Sequence, residues 1–209
     1  MATDNYAASE RQALCDLLAE LGPDEPTLCE GWTTRDLAAH LVARERQPLS
    51  SPGLVVPPLS GYTERVRRRL ATRPYPELVA LVRRPPGWVR PAAVDRVVNT
   101  MEMFLHHEDV RRGRPGWEPR DLPDGLARQL WRLLRIPARL RLRRFPAAVE
   151  VSAPGLGRMH TGAGGEPVRL SGEAGELALF LSGRQRAARV RMEGPEDLVA
   201  RLTTARLGW

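Results

Sequence analysis

The sequence predicts a mainly α-helical chain with a smaller α+β part at its end, and three observations carry that expectation. Apolar residues recur at helical spacing from the N-terminus to about residue 144. Proline and glycine clusters break that pattern at intervals suited to helices of ordinary length. After Phe145 the character changes to short alternating segments parted by glycines. The expected division is therefore a helical domain over 1–145 and a small α+β domain over 146–209, with no internal repeat.

Each element has its own reason. Ala7, Leu14, Leu17, Leu18 and Leu21 share one face of a first helix over about 5–21, stopped by "GPDEP". In "GWTTRDLAAHL", Thr33 can cap a second helix, with Asp36 as the reciprocal partner three residues on. Trp32 and Leu37 fall at the two positions of a hydrophobic staple, and the helix runs to about Gln47. Four prolines and a glycine make 48–60 a loop. Helical pieces follow at about 61–72 and 75–83, and "RRPPGW" then breaks the chain. A helix over about 92–112 has Val94, Val97, Val98, Met101 and Leu105 as its expected core stripe. A further helix over about 123–144 sets Leu126, Leu130, Leu133, Leu134 and Leu140 inward and Arg128, Arg132, Arg135 and Arg139 along a solvated face, with Pro137 kinking it or ending it early. "AAVEVSA", "GRMHTG", "EPVRLSG" and "AARVRME" read as strands. "EAGELALFLSG" and "PEDLVARLTTA" read as helices, the second opened by proline in its first turn.

Composition narrows the function classes. Hydrophobic content of 42% in 209 residues is that of an ordinary globular protein. No apolar run is long enough to cross a bilayer, and the N-terminus carries acids where a signal core would sit, so the expected location is the cytoplasm. Cys15 and Cys29 give no disulfide framework and read as small buried apolar residues. All 32 basic residues are arginine and the net charge is +7, yet the arginines are spread along the chain and aromatics are only 5%. With no stacking platform and no zinc-finger spacing, nucleic-acid binding is a minor reading.

The chemistry concentrates in "NTMEMFLHHEDVRR", residues 99–112, which holds two of the four histidines. Glu102 and His106 are four residues apart, so a helix sets both on one face, one turn apart. Both can then reach one ion, since metal–ligand bonds are only about 2.0–2.2 Å. His40 lies between Leu37 and Leu41, which points its ring at the core, where a neutral imidazole needs a partner. Two imidazoles and one carboxylate leave a coordination position open, the pattern of a catalytic zinc site; the same set also suits non-haem iron. Asp109, one turn past His106, can orient that ligand or bind an arginine. His107 points about 100° away and reads as a surface or secondary polar residue.

"GWTTRDLAAHL" together with "NTMEMFLHHEDV" resembles the DinB-like metal-binding helical bundles, specifically the mycothiol-dependent maleylpyruvate isomerase branch. The matching positions are Trp32, Thr33, Asp36, Leu37, His40 and Leu41, then Glu102, His106 and Asp109. "LFLSGRQRAARVRMEG" is similar to the C-terminal domain of that branch, while 48–92 shows no substrate signature. The resemblance implies a DinB-like four-helix bundle followed by the small α+β domain. It also implies a divalent metal, usually zinc, held by His40, Glu102 and His106, with Asp109 and Asp36 in support. Mycothiol is the implied co-substrate, and the implied partners are a small thiol and an electrophilic substrate. Arg184, in the "GR" pair, is a candidate for a substrate carboxylate or a surface arginine closing a helix. The expected activity is thiol transfer or thiol-assisted isomerisation. The competing expectation is a DinB-like protein that binds metal without turnover, in stress response or partner binding.

Overall fold

The computed structural model describes residues 5–47, 60–89, 91–162, 164 and 166–208. Among these are eight α-helices and four strands. Most of the expected loop 48–60 lies outside the described residues; its last residue, Ser60, opens a helix. The chain divides into two compact units, 1–117 and 118–209. The helical domain expected from the sequence ends instead at 145, because the helix over 124–142 has the same amphipathic pattern as those before it.

The first unit holds α1 (Tyr6–Leu21), α2 (Thr34–Arg46), α3 (Ser60–Ala71), α4 (Tyr75–Arg83) and α5 (Ala92–Arg111). Asn5 caps α1, its side chain accepting from the Ala8 N–H. At the start of α2 the Thr33 N–H and hydroxyl both donate to Asp36 Oδ2, at 3.1 and 3.2 Å, so this helix begins where its capping residues predict. Leu14 and Leu18 of α1, Leu37 and Leu41 of α2, Leu78 and Val82 of α4, and Met103 and Val110 of α5 form one buried core.

Helix α5 reverses one expectation. Val94, Val97 and Val98 are exposed, Val97 at 70%, while Asp95, Asn99 and Thr100 are buried. The polar face turns inward because its charges find partners there. Asp95 Oδ1 lies 3.5 Å from Arg11 Nη2 and accepts from Asn99 at 2.8 Å. Paired groups can be buried, and the apolar count of the opposite face does not then decide the orientation.

The second unit holds α6 (Asp124–Leu142), β1 (Val149–Ala153), β2 (Gly157–Thr161), β3 (Val168–Ser171), α7 (Ala174–Leu181), β4 (Arg191–Glu193) and α8 (Glu196–Thr204). The strand order is β2-β1-β3-β4, with β1 antiparallel to β2 but parallel to β3, and β3 antiparallel to β4. Alternate residues of β1, namely Val149, Val151 and Ala153, face the interior. Helix α6 runs through Pro137 without ending, and Leu140 is exposed; the buried stripe is Leu126, Leu130, Leu134, Ala138 and Leu142. Packing on α7 carries the helix past the proline. There Arg141 donates to the Leu181 carbonyl at 2.7 Å. The arginines expected on the solvated face, Arg128, Arg132, Arg135 and Arg139, are exposed.

Candidate metal centre

Helices α2 and α5 bring three side chains to one point. His40 Nε2 lies 3.5 Å and His106 Nε2 3.3 Å from the same oxygen, Glu102 Oε1. The two imidazole centroids are 5.2 Å apart, and both rings are more than nine-tenths buried. These atoms all lie within 4.8 Å of one another.

The backbone around the centre is braced from both ends. Thr34 Oγ1 donates to the Gly22 carbonyl at 2.6 Å, tying the start of α2 to the end of α1. Between them the chain turns at Gly31, whose φ of +74° favours glycine. The Leu28 N–H donates to the Asp109 carbonyl at 3.0 Å, which fixes this loop to the end of α5. Gly113 permits that approach: a Cβ there would meet the Pro26 carbonyl oxygen at 2.2 Å.

Asp109 is fully buried, and its Oδ2 lies 2.8 Å from His106 Nδ1. That bond leaves the Nε2 edge of His106 facing Glu102, as a metal-binding imidazole requires. The same Oδ2 accepts from the Cys29 thiol at 3.2 Å. Trp32 covers His40 with ring centroids 5.1 Å apart, and the Arg67 guanidinium sits 5.0 Å over the Trp32 ring.

The charges are uneven. Burial pushes the His40 imidazole below its ordinary value, and the neighbouring His106 adds to this while Glu102 opposes it. His106 goes well above the imidazole range: burial works against the cation, but bonds to Asp109, Cys29 and Glu102 outweigh it. Glu102 is held well below the carboxylate range, since His106, His40 and the charge of Arg44 outweigh the cost of its burial. His40 thus offers a neutral nitrogen and Glu102 an anionic oxygen at neutral pH, while His106 holds a proton that an incoming ion would displace from Nε2.

Other expected residues lie elsewhere. Asp36 faces the Thr33 cap and Arg67. It touches the centre only indirectly, through Arg67 and Trp32. His107 is not a surface residue; it is buried, with Nδ1 2.8 Å from Glu10 Oε2 on α1. The reason is that the face of α5 opposite the site packs on α1, where Glu10 supplies the partner. Arg184 belongs to the second unit, where its Nη1 donates to the Ser182 carbonyl at 2.7 Å.

Two residues at the centre escaped the sequence reading. Cys29 was expected to be an inert apolar residue, and only the fold brings it to Asp109. Arg44, whose Nε lies 3.1 Å from Glu102 Oε1, sits four residues after His40. The spacing argument that paired Glu102 with His106 applies equally to it.

The donor set fits a divalent ion. Two nitrogens and one carboxylate oxygen converge from two rigid helices, one nitrogen is oriented by a buried carboxylate, and the carboxylate is ionised.

Residues 7–84 match the family described as mycothiol maleylpyruvate isomerase N-terminal domain. No curated protein matches the chain. A solved structure titled "Crystal structure of the mycothiol-dependent maleylpyruvate isomerase" superposes with a TM-score of 0.59 at 18% identity, over 91% of this chain and 92% of that one. At that identity the likeness shows the fold, which is the helical part plus small α+β part expected above. Residues 7–84 thus resemble the mycothiol maleylpyruvate isomerase N-terminal domain, and the chain as a whole shares the fold of that solved structure.

Proposed function

We propose that the protein is a metal-dependent enzyme that activates a low-molecular-weight thiol of the mycothiol kind. The thiol would add to a small electrophile such as maleylpyruvate and isomerise its double bond, or remain attached as a transferred group. The observation that carries this reading is the convergence of His40 Nε2 and His106 Nε2 on Glu102 Oε1. A divalent ion bound there, zinc by its donor set, supplies a Lewis acid that lowers the proton affinity of a thiol.

The chain's own residues do the rest. Asp109 holds the His106 ring in the orientation that presents Nε2. Burial keeps His40 neutral, so its nitrogen is ready to donate without first losing a proton. Trp32 packs over the His40 ring and shields that side from water. In the second unit, Arg184 is the candidate for holding a substrate carboxylate; its replacement by glutamine is expected to raise KM and leave metal content alone.

The test uses the full chain purified without a histidine tag. Elemental analysis is expected to find about one zinc per chain in the wild type and in His107→Ala, and little in His40→Ala. After cobalt substitution, a thiol such as mycothiol is expected to shift the visible spectrum. Equal metal loss in His107→Ala and His40→Ala would show that the wrong ring was chosen. An unmoved spectrum would favour metal binding without turnover.

A further inference from the structure

Arg44 is bound into the centre by every part of its guanidinium. Nε lies 3.1 Å from Glu102 Oε1, Nη1 donates to Asn99 Oδ1 at 2.6 Å, and Nη2 donates to the Val98 carbonyl at 3.0 Å. Asn99 is itself held, since its amide donates to Asp95 Oδ1 at 2.8 Å. Behind Asp95 stands Arg11, paired through both Nη atoms with Glu45 at 2.6 and 2.9 Å. Arg44 therefore cannot swing away without breaking three bonds, and its side chain is only 17% exposed. A guanidinium does not lose its charge in a protein.

This arrangement costs the centre something. Glu102 is the sole anionic member of the His40, Glu102 and His106 group, and Arg44 sets a permanent cation against its Oε1, one that an incoming ion does not displace. The other nearby carboxylate, Asp109, is committed to His106 Nδ1 and the Cys29 thiol. A plain metal-storage site would gain by lacking a cation here, because like charges a few ångströms apart repel in a buried setting. A centre whose fourth ligand is an anion gains by having one. The surplus positive charge that weakens the hold on the ion strengthens the hold on a negatively charged ligand.

Resting on the metal-centre reading above, we infer that Arg44 is the specificity-determining residue that biases this centre toward an anionic fourth ligand, a thiolate, over a neutral one. The charge carries the bias and the fork's bonds to Asn99 and the Val98 carbonyl only hold it in place, so lysine keeps the bias and glutamine loses it.

The experiment measures affinities, not turnover. Zinc dissociation constants are taken by chelator competition for the wild type, His40→Ala, Arg44→Gln and Arg44→Lys. Cobalt-loaded proteins are then titrated with 2-mercaptoethanol, which binds as a thiolate, and with imidazole, which binds neutral. In Arg44→Gln zinc is expected to bind about tenfold tighter and mercaptoethanol about tenfold weaker, with imidazole changing by less than about twofold. Arg44→Lys is expected to stay near the wild type in all three. Arg44→Met, which keeps the apolar stem, repeats the glutamine measurement should that variant fold poorly. Weaker zinc binding in Arg44→Gln would overturn the inference and make Arg44 a mechanical brace for Glu102. A parallel shift of mercaptoethanol and imidazole would also overturn it, as would a lysine variant that behaves like glutamine. If wild type and His40→Ala take up zinc equally, the metal centre itself fails and Arg44's role falls with it; that result is read before any Arg44 variant is made.

Discussion

Along α7 every residue from Ala174 to Leu181 is buried, and only Glu176 is charged. The buried positions of α5, by contrast, include Asp95, Asn99, Thr100, His106, His107, Glu108 and Asp109. Both helices exclude water, yet one does so with hydrocarbon and the other with paired polar groups. Burying an ion pair costs desolvation that its attraction only partly repays, so hydrocarbon would serve stability at least as well. Helix α7 is built for the fold. The cost carried by α5 at His106 and Asp109 needs another explanation, and the convergence on Glu102 provides it.

The largest effect expected from this contrast is a double dissociation. Leu177→Ala should lower unfolding free energy by about 2–5 kcal/mol through loss of buried contact and a residual cavity, with bound metal still near one per chain. His106→Ala should abolish metal uptake while unfolding cooperatively. Chemical denaturation beside elemental analysis separates the two. Metal loss in Leu177→Ala would mean that the centre depends on general packing, not on the polar face of α5.

A finer cut lies within α5 itself. Glu102 and Glu108 are six residues apart and face different partners. Glu108 pairs with Arg112 Nε and with Arg111 Nη1, the latter at 2.9 Å, away from the imidazoles. Glu102→Gln is expected to weaken zinc binding at least about tenfold by removing the anionic ligand, whereas Glu108→Gln should lower stability and leave zinc affinity unchanged. His107→Ala belongs with the second group. It removes the bond between His107 and the buried Glu10 and should cost about 1–3 kcal/mol of stability without loss of metal. The reverse order of Glu102 and Glu108 in a zinc titration would show that the wrong face of α5 had been assigned.

How far these features could be read in advance varied with the range of the interaction. The α2 start at Thr33 and Asp36 and the Glu102–His106 pair depend on neighbours within one turn, and helical geometry alone sets them. The inward face of α5 was not legible, because the valines at 94, 97 and 98 promised an apolar stripe. What reversed it were partners far off in sequence: Arg11 for Asp95, Arg44 for Asn99, and Glu10 for His107. No period in α5 contains that information. Cys29 is similar, since its contact with Asp109 spans 80 residues. In the second unit the alternation of β1 was legible. The span of α6 was legible too, since its apolar period continues past Pro137; the alternative of an early end there fails in a helix that packs on α7.

The smallest expected effect tests the outermost support of the centre. Glu64 on α3 accepts from Arg67 at 2.6 and 2.8 Å and from Arg68 at 2.6 Å. The bond from Arg67 leads the influences that lower its carboxyl from 4.5 to about 2, against the opposing effect of burial. Arg67 in turn lies over Trp32, which covers His40. A depressed carboxyl stabilises the folded state fully above the unfolded value, and this contribution is lost as pH falls through the folded one. Glu64→Gln should therefore be slightly less stable than the wild type at pH 6, and the gap in urea midpoint should narrow below pH 4.5 and close towards pH 2. The effect is small because the Glu64 side chain is 37% exposed, where solvent and salt screen the pair. Zinc affinity should stay at the wild-type value, since Trp32 remains packed by its own contacts. A gap that widens as pH falls would reverse the sign of the Glu64 contribution and remove the ion pair from the account of how α3 supports the centre.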